Sequence, residues 1–459
     1  MKSKLDFWSI TLLTINSIIG SGIFLSPGSV VLMSGDKAPI VYFAAAIFAS
    51  MLAITFASAA RYITKSGAAY AYAKVAFGEN IGLYVGITRF IASSIAWGVM
   101  ATGVIKTTLS IIGIDDRSFK YVTIGFILLM ITLLIINSLG TRLFKIINNL
   151  STIGKIFSLI TAIIAGAILV IKTGDNHFKE INQFKDSMGN SLIPQMNTST
   201  FVTSTIMAFY AFTGFESVAS GSSDMENPER NLPRAIPLAI LIIAGVYIGI
   251  VVIAMTINPQ AIIQTKDVVS LAVVFDNKII NSVILYGALI SMFGINVAAS
   301  FHTPRILEAM ANENQIPKGL AKRTRGNFPL RSFLISLVLS IVLPMTFQYD
   351  MTSIIVLSSI SRFVQFLIVP AAVIILYYGK NVEGIPLNTK KNVITDAIIP
   401  AISFLLTVFL LVKFDWIGQF TIVDTNGISH INIYAILAMV TGYIILPAIL
   451  FSIKSTNRR

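Results

Sequence analysis

Two breaks inside apolar segments are the places where this chain could bind a charged ligand. Gly20-Ser21-Gly22 interrupts the first apolar segment, and a stretch around Gly214 interrupts the sixth. An unpaired backbone N–H or C=O costs several kcal/mol, roughly, in hydrocarbon, so a membrane helix is interrupted only where the freed groups line an enclosed site. Two broken helices in corresponding positions of two halves are typical of a secondary transporter that binds its substrate at mid-membrane.

The two helix ends at a break carry opposite partial charges. The half that restarts exposes N–H groups that attract a carboxylate, and the half that ends exposes carbonyl oxygens that suit an ammonium group. One break can therefore bind both charged ends of an amino acid. Close packing through small residues is the alternative for Gly20-Ser21-Gly22, but Pro27 and Gly28 just beyond it disfavour a simple packing face.

Charged side chains inside apolar segments are costly and therefore point to function. Glu216 follows the second break, and Arg89, Lys155 and Arg362 lie in other segments. We expect Glu216 and Arg89 to pair when an inner gate is closed, with Arg362 as the alternative partner. A salt bridge that only locks helices is an equally good interpretation. Lys155 lies too deep to reach the membrane surface easily, although snorkelling is the alternative.

Composition places these residues in a membrane protein. The chain has 459 residues, of which 55% are hydrophobic and 12% charged, about half the charged fraction of soluble domains. It has no cysteines, and the spacing of His177, His302 and His430 does not suit a metal. No nucleophile–base pair is evident either, so we expect no enzyme, no metal and no cofactor.

The net charge of +13 would suggest nucleic acid as a partner for a soluble chain. Here Lys and Arg concentrate in every second loop, as the positive-inside rule describes. We therefore expect no nucleic-acid partner, a lipid bilayer as the environment, and a multi-pass protein of the cell membrane with both termini in the cytoplasm.

About twelve apolar segments have roughly the ~20 residues that a bilayer crossing needs. The first, third, eighth and tenth are long enough to imply tilt or a break. The first ten form two sets of five, each opening with a broken helix, which predicts an all-α membrane protein with one transmembrane domain over residues 1–459. Its parts are a first repeat at about 7–171, a second at about 199–378, and appended helices at about 393–453.

Several motifs resemble those of amino-acid permeases of the amino acid–polyamine–organocation (APC) superfamily. They are the first break, residues 209–237, residues 69–78 before the third helix, and residues 309–317 after the eighth. They occur in order and at family spacing, and together they are very specific. The resemblance implies the leucine-transporter fold, in which five helices are repeated in inverted orientation and two more are appended.

The resemblance also implies which backbone groups bind the substrate. Its carboxylate would meet the N–H groups of Ser21 and Gly22. Its ammonium would meet the carbonyls of Ile18, Tyr210 and Thr213, and Tyr210 takes the position of the family's aromatic gate.

Side chains of other helices complete the implied site. Trp97 on the third helix and Asn296 on the eighth are pocket residues by position. In sodium-independent members a lysine at the position of Lys155 places its ammonium where sodium sits in sodium-driven relatives. Lys155 would then bridge the first and eighth helices, with Ser300 or Thr303 as partners.

The expected function is secondary active amino-acid transport by alternating access, as a sodium-independent exchanger or a proton-coupled carrier. Neutral, small-to-medium L-amino acids are the expected substrates, because Trp97 takes up volume and no acid other than Glu216 is placed to hold a cationic side chain. The alternatives are an antiporter of acidic amino acids, or of cationic amino acids and polyamines, and a transport-deficient nutrient receptor. We expect no obligate protein partner.

Overall fold

The computed structural model is helical apart from one short hairpin on its surface. It describes residues 6–20, 22–63, 68–138, 141–185, 189–218, 225–264, 269–324, 328–379, 391–423 and 429–456. Ser21, one of the predicted substrate-binding residues, lies outside this range.

The helices follow one another along the described chain with short connections. Three short 3₁₀ turns cover Gly35–Lys37, Glu180–Gln183 and Lys318–Ala321. Two π-helical turns cover Ile394–Ile398 and Thr441–Ile445. Strands β1 (Thr421–Val423) and β2 (Ser429–Ile431) pair antiparallel. The α-helices are α1 (Phe7–Ile18), α2 (Gly22–Ser34), α3 (Ala38–Tyr62), α4 (Ala69–Phe77), α5 (Glu79–Ile111), α6 (Phe119–Ser138), α7 (Thr141–Thr173), α8 (Thr198–Tyr210), α9 (Phe215–Val218), α10 (Pro228–Ile257), α11 (Pro259–Gln264), α12 (Ser270–Val273), α13 (Lys278–Asn312), α14 (Leu330–Thr346), α15 (Met351–Ile360), α16 (Phe363–Tyr378), α17 (Ile399–Lys413), α18 (Trp416–Gln419), α19 (Ile433–Val440) and α20 (Leu446–Thr456).

Many of these helices are long and apolar enough to cross a membrane. Within the described chain, nine stretches meet that criterion, and α1 and α14 are shorter apolar helices. Large apolar side chains such as Leu128 on α6 and Ile171 on α7 are exposed at the surface, as expected for helices that contact lipid. The prediction of a helical protein with several membrane spans is confirmed.

Three spans are interrupted in the part of the chain that the structure describes. The first stops at Ile18 and restarts at Gly22, and the sixth stops at Tyr210 and restarts at Phe215, so both predicted breaks are present. The third interruption lies between α15 and α16, where the length of the tenth segment predicted a tilt or a break.

The third interruption arises without glycine or proline. Ser361 Oγ donates to the carbonyl of Ser358, and Ser359 Oγ donates to the carbonyl of Ile355. Serine hydroxyls that bond to nearby carbonyls compete with the helical hydrogen bonds and bend helices. The chain then turns at Ser361 and Arg362 before α16 begins.

The buried apolar residues form two clusters. The larger one includes Ile18 and Tyr210, and so surrounds both breaks. The smaller one lies between α5, α6, α13 and α14 and contains Trp97, Phe126 and Phe333. The breaks are thus held by one continuous apolar core, and the second cluster supports them from the side.

Candidate functional site

The two breaks touch each other backbone to backbone. A Cβ added to Gly22 would lie 2.5 Å from Cα of Ala211, and one added to Gly214 would lie 2.3 Å from the carbonyl oxygen of Ser17. Gly214 also has a φ of +121°, a conformation that side chains rarely adopt. Ser17 Oγ donates to the carbonyl of Gly214 at 3.0 Å. Glycine is therefore required at both breaks by close approach.

The carbonyls of the second break already have donors inside the protein. The carbonyl of Tyr210 accepts from the N–H of Thr213 at 3.2 Å and from its hydroxyl at 2.8 Å. Tyr247 OH donates to the carbonyl of Ala211 at 3.3 Å. Thr213 therefore occupies the Tyr210 carbonyl in this conformation, and binding of a substrate ammonium group there stays a prediction.

The first break brings together helix ends of opposite polarity. Ile18 ends α1 and is buried, and the last four carbonyls of a helix lack donors within the helix. Gly22 begins α2, a helix of 13 residues, whose first N–H groups are likewise without intrahelical acceptors. A carboxylate next to Gly22 would meet the positive end of this helix.

Lys155 neutralises the carbonyl side of the first break. Its ammonium group, on α7, donates to the carbonyl of Asn16 at 2.7 Å and to that of Ile19 at 2.8 Å, and the residue is 3% exposed. A cation at the C-terminal end of a helix is favoured by the helix dipole. The protein therefore places the amino group of Lys155 against the carbonyl end of α1.

The expected partners of Lys155 on the eighth helix were wrong. Ser300 donates to the carbonyl of Val297 at 2.7 Å and accepts from Asn137 Nδ2 at 2.8 Å. Thr303 is buried on the same helix, and no hydrogen bond between described residues joins it to Lys155. Backbone carbonyls satisfy the lysine instead, because a broken helix leaves them without donors.

Glu216 joins the second break to the third. Its Oε1 forms an ion pair with the guanidinium group of Arg362, and its Oε2 accepts from the N–H of Gly214 at 2.8 Å. Both side chains are largely buried, at 6% and 13% exposure. The expected direct pair with Arg89 is therefore corrected, since the alternative partner occupies the carboxylate. Arg89 remains close enough for its charge to interact with Glu216.

The aromatic side chains around the second break pack against each other. Phe209 and Phe215, on either side of the break, both contact Phe366 of α16, with ring centroids 5.5 and 6.3 Å apart. Phe212 contacts Tyr247 at 5.2 Å. All four phenylalanines are fully buried. They fix the geometry of the break.

Trp97 does not lie with the residues of the breaks. Its ring packs on Phe333 of α14, with centroids 5.8 Å apart, inside the smaller apolar cluster. This placement corrects the expectation that it lines the substrate pocket. Asn296 is also fully buried. Its Nδ2 donates to the carbonyl of Met292, while its Oδ1 has no hydrogen-bond partner among the described residues.

Some contacts at the site had no signal in the sequence. Asn16 and Ile19 act through their carbonyls, and a backbone group looks the same whichever side chain it carries. Ser17 and Tyr247 act through hydroxyls. Ser17 could have been suspected, because it is a polar residue one turn before a break in an apolar segment.

Taken together, the described residues can hold a zwitterion. Helix ends of both signs meet at the two adjoining breaks, with the amino group of Lys155 against the first and the Glu216–Arg362 ion pair beside the second. No group of three or more potential metal ligands occurs among the described residues.

The chain was compared with known proteins. The profile of a family described as "Amino acid permease" matches residues 5–446. An uncharacterized transporter of Mycobacterium tuberculosis (strain ATCC 25618 / H37Rv) is 38% identical over 98% of this chain and 94% of its own length.

Relatives that are named for a substrate are more distant. The serine/threonine exchanger SteT of Bacillus subtilis (strain 168) is 27% identical over 69% of this chain and 70% of its own length. The branched-chain amino acid permease BcaP of the same strain is 23% identical over 91% of this chain and 89% of its own length. The family and these relatives are transporters, not enzymes. The chain is an integral membrane protein and belongs to the amino acid permease family of the APC superfamily.

Proposed function

We propose that this chain is a secondary active amino-acid transporter that works by alternating access. It is a sodium-independent exchanger or a proton-coupled carrier of neutral, small-to-medium L-amino acids. The observation that carries the proposal is the bonding of Lys155 to the carbonyls of Asn16 and Ile19, at the break where a zwitterion would bind. The substrates named for the exchanger SteT and the permease BcaP are neutral amino acids, which supports this class.

We further propose the leucine-transporter fold with twelve crossings. The broken pairs α1–α2, α8–α9 and α15–α16 each count as one span. The π-helical turn Ile394–Ile398 forms one span with α17, and the turn Thr441–Ile445 joins α19 and α20 into another. The first repeat covers about 7–171, the second about 199–378 and the appended helices about 393–453, within one domain. The excess of Lys and Arg in alternate loops supports a cell-membrane protein with cytoplasmic termini.

Transport is expected to be independent of sodium, because Lys155 already supplies a cation at the first break. Exchange of a labelled neutral amino acid should be the same in proteoliposomes with external sodium or with choline. A large loss of exchange in choline would contradict this. Repeating the measurement with a pH gradient across the membrane distinguishes exchange from proton-coupled transport. If no amino acid is exchanged or taken up at all, the proposed function is overturned.

Lys155→Ala is expected to slow exchange by about tenfold or more, since hydrogen bonds to a charged group contribute roughly 1.5–3 kcal/mol each. Lys172→Ala, which removes an exposed lysine from the same helix, is the matched control and should exchange normally. Equal rates for both variants would show that the charge at the first break is dispensable.

Substrate derivatives that lack one charge are expected to compete poorly. A methyl ester removes the carboxylate and an N-acetyl group removes the ammonium. Each leaves buried polar groups of the site unpaired, at a cost of roughly 1–3 kcal/mol per group. Competition against a labelled amino acid measures this, and an ester that competes as well as the free amino acid would show that the first break is only a packing feature.

A further inference from the structure

We propose that the turn between α13 and α14 binds the headgroup of an anionic phospholipid. Its ligands are three exposed basic side chains, those of Lys318, Lys322 and Arg331, which we call the basic turn. This inference goes beyond the proposed function, because it does not depend on which substrate the protein carries.

The sequence around the basic turn is one-sided in charge. Residues 314–349 include five Lys and Arg residues and no Asp or Glu. Lys318 and Lys322 are exposed, and neither forms an ion pair with a described residue. Arg331 is also exposed, and its contact with the carbonyl of Gly319 uses one of the five N–H donors of a guanidinium group. The three side chains can therefore direct their charge to a ligand outside the protein.

The acidic side chains that precede the turn are bound elsewhere. Glu308, near the end of α13, forms an ion pair with Arg323. Glu313 accepts from Lys74 Nζ at 2.7 Å and from Tyr70 OH at 2.6 Å, both on α4. Arg323 is thus already neutralised, whereas the basic turn has no acidic partner among the described residues.

The fold holds these charges in one place. The 3₁₀ turn Lys318–Ala321 packs against both α13 and α14. Ser332 Oγ donates to the carbonyl of Leu320 at 2.8 Å, and Arg331 Nη1 lies 3.5 Å from the carbonyl oxygen of Gly319. The guanidinium group therefore lies against the residue that follows Lys318 in the chain, and the start of α14 is bonded to the turn at two successive residues.

Arg331 also begins the lipid-facing side of α14. The exposed apolar residues that follow it on this helix are Leu334, Ile335, Val338 and Val342. They lie three, four, seven and eleven positions after Arg331, a spacing that places all of them on one face of a helix. This face contacts lipid acyl chains, so the basic turn lies at the end of an acyl-chain surface, where the headgroups of a bilayer begin.

An anionic phospholipid matches both parts of this surface. Its acyl chains cover the apolar face of α14, and its phosphate accepts hydrogen bonds from arginine, which binds phosphate oxygens in pairs, and from lysine. Basic pockets at the ends of membrane helices bind anionic headgroups in this way. A zwitterionic lipid presents the same phosphate with a compensating ammonium group, and a soluble phosphate lacks the acyl chains. Both should bind less tightly.

Native mass spectrometry provides the test. The full chain, in detergent with equal amounts of dioleoyl phosphatidylglycerol and dioleoyl phosphatidylcholine, should retain phosphatidylglycerol at least about tenfold more often. The triple variant Lys318→Gln, Lys322→Gln and Arg331→Gln should bind phosphatidylglycerol about a hundredfold more weakly and retain the two lipids equally. The variant Lys318→Arg, Lys322→Arg and Arg331→Lys, which keeps all three charges, should keep the preference.

The matched control removes three exposed lysines elsewhere on the surface, by Lys172→Gln, Lys179→Gln and Lys413→Gln. Its net charge equals that of the first triple variant, and its preference for phosphatidylglycerol should be unchanged. An equal loss of preference in this control would show that total charge selects the lipid, and would overturn the proposal. Equal retention of the two lipids by the unmodified protein, or an unchanged preference in the first triple variant, would overturn it as well.

Thermal unfolding in detergent distinguishes a lipid from a soluble phosphate. Phosphatidylglycerol should raise the unfolding temperature of the unmodified protein more than phosphatidylcholine does, and glycerol phosphate should not raise it. Stabilisation by glycerol phosphate as large as that by phosphatidylglycerol would show that the turn is a phosphate site and not a lipid site. Neither measurement uses amino-acid exchange, so a failure here is separate from a failure of the proposed function.

Discussion

Gly214→Ala is expected to abolish amino-acid exchange and to lower the thermal stability of the protein. The new Cβ would lie 2.3 Å from the carbonyl oxygen of Ser17, which is backbone and cannot move aside cheaply. The φ of +121° adds backbone strain of about 1–3 kcal/mol. Both effects push the second break away from the first. Exchange in proteoliposomes and thermal unfolding in detergent measure the two consequences.

Gly78→Ala is the matched control for this variant. Gly78 also has a positive φ, of +90°, but no atom lies within 4 Å of the position that its Cβ would take. The Gly78→Ala variant therefore has the backbone strain without the collision, and it should keep most of its exchange activity. If both variants lose activity equally, strain alone accounts for the loss, and the contact between the breaks is unimportant.

Glu216→Gln and Arg362→Gln are each expected to slow exchange by tenfold or more. Removing one partner of a buried pair leaves the other charge uncompensated, at a cost of about 3–5 kcal/mol. The double variant, which leaves neither charge, should recover part of the loss. Rates are compared at equal protein density in a double-mutant cycle. Strictly additive losses would show that the two charges do not act as a pair.

Two comparisons make this result specific. Arg89→Gln combined with Glu216→Gln should recover less than the pair with Arg362, because the direct ion pair is with Arg362. Lys37→Gln breaks an exposed ion pair with Asp36, and exposed pairs contribute little, so exchange should be unaffected. A larger recovery with Arg89 would indicate that the two arginines change places during transport.

The helix breaks could be predicted from the sequence because they conflict with their surroundings. Gly20 and Gly214 lie in apolar segments where a regular helix is otherwise favoured, and the hydrocarbon makes such an exception costly. Glu216 and Lys155 stood out for the same reason. Each of these residues could be identified from its position within its own apolar segment.

Contacts between distant segments could not be predicted in the same way. The sequence placed Lys155 correctly in an apolar helix, but not its partners, which are backbone carbonyls. Trp97 was assigned to the pocket by its position on the third helix, yet the direction of its side chain depends on how α5 rotates against α14. The position of the third interruption was also hidden, because Ser361 and Arg362 are not helix breakers by type.

The third interruption has a mechanical consequence. At the start of α15, Thr352 shares a hydrogen bond with Ser29 of α2 at 3.0 Å, and the carbonyl of Ser353 accepts from Gln419 of α18 at 2.9 Å. The α15 half of this span is therefore hydrogen-bonded to α2, the restarting half of the first span. The α16 half packs instead against α3 and α17.

Any change in the angle between α15 and α16 would have to be absorbed by the two residues that join them, Ser361 and Arg362. Arg362 is also the residue that pairs with Glu216. The ion pair beside the second break therefore lies at the joint between a half-span bonded to α2 and a half-span packed on α3 and α17, and bending at this joint would displace one partner of that pair.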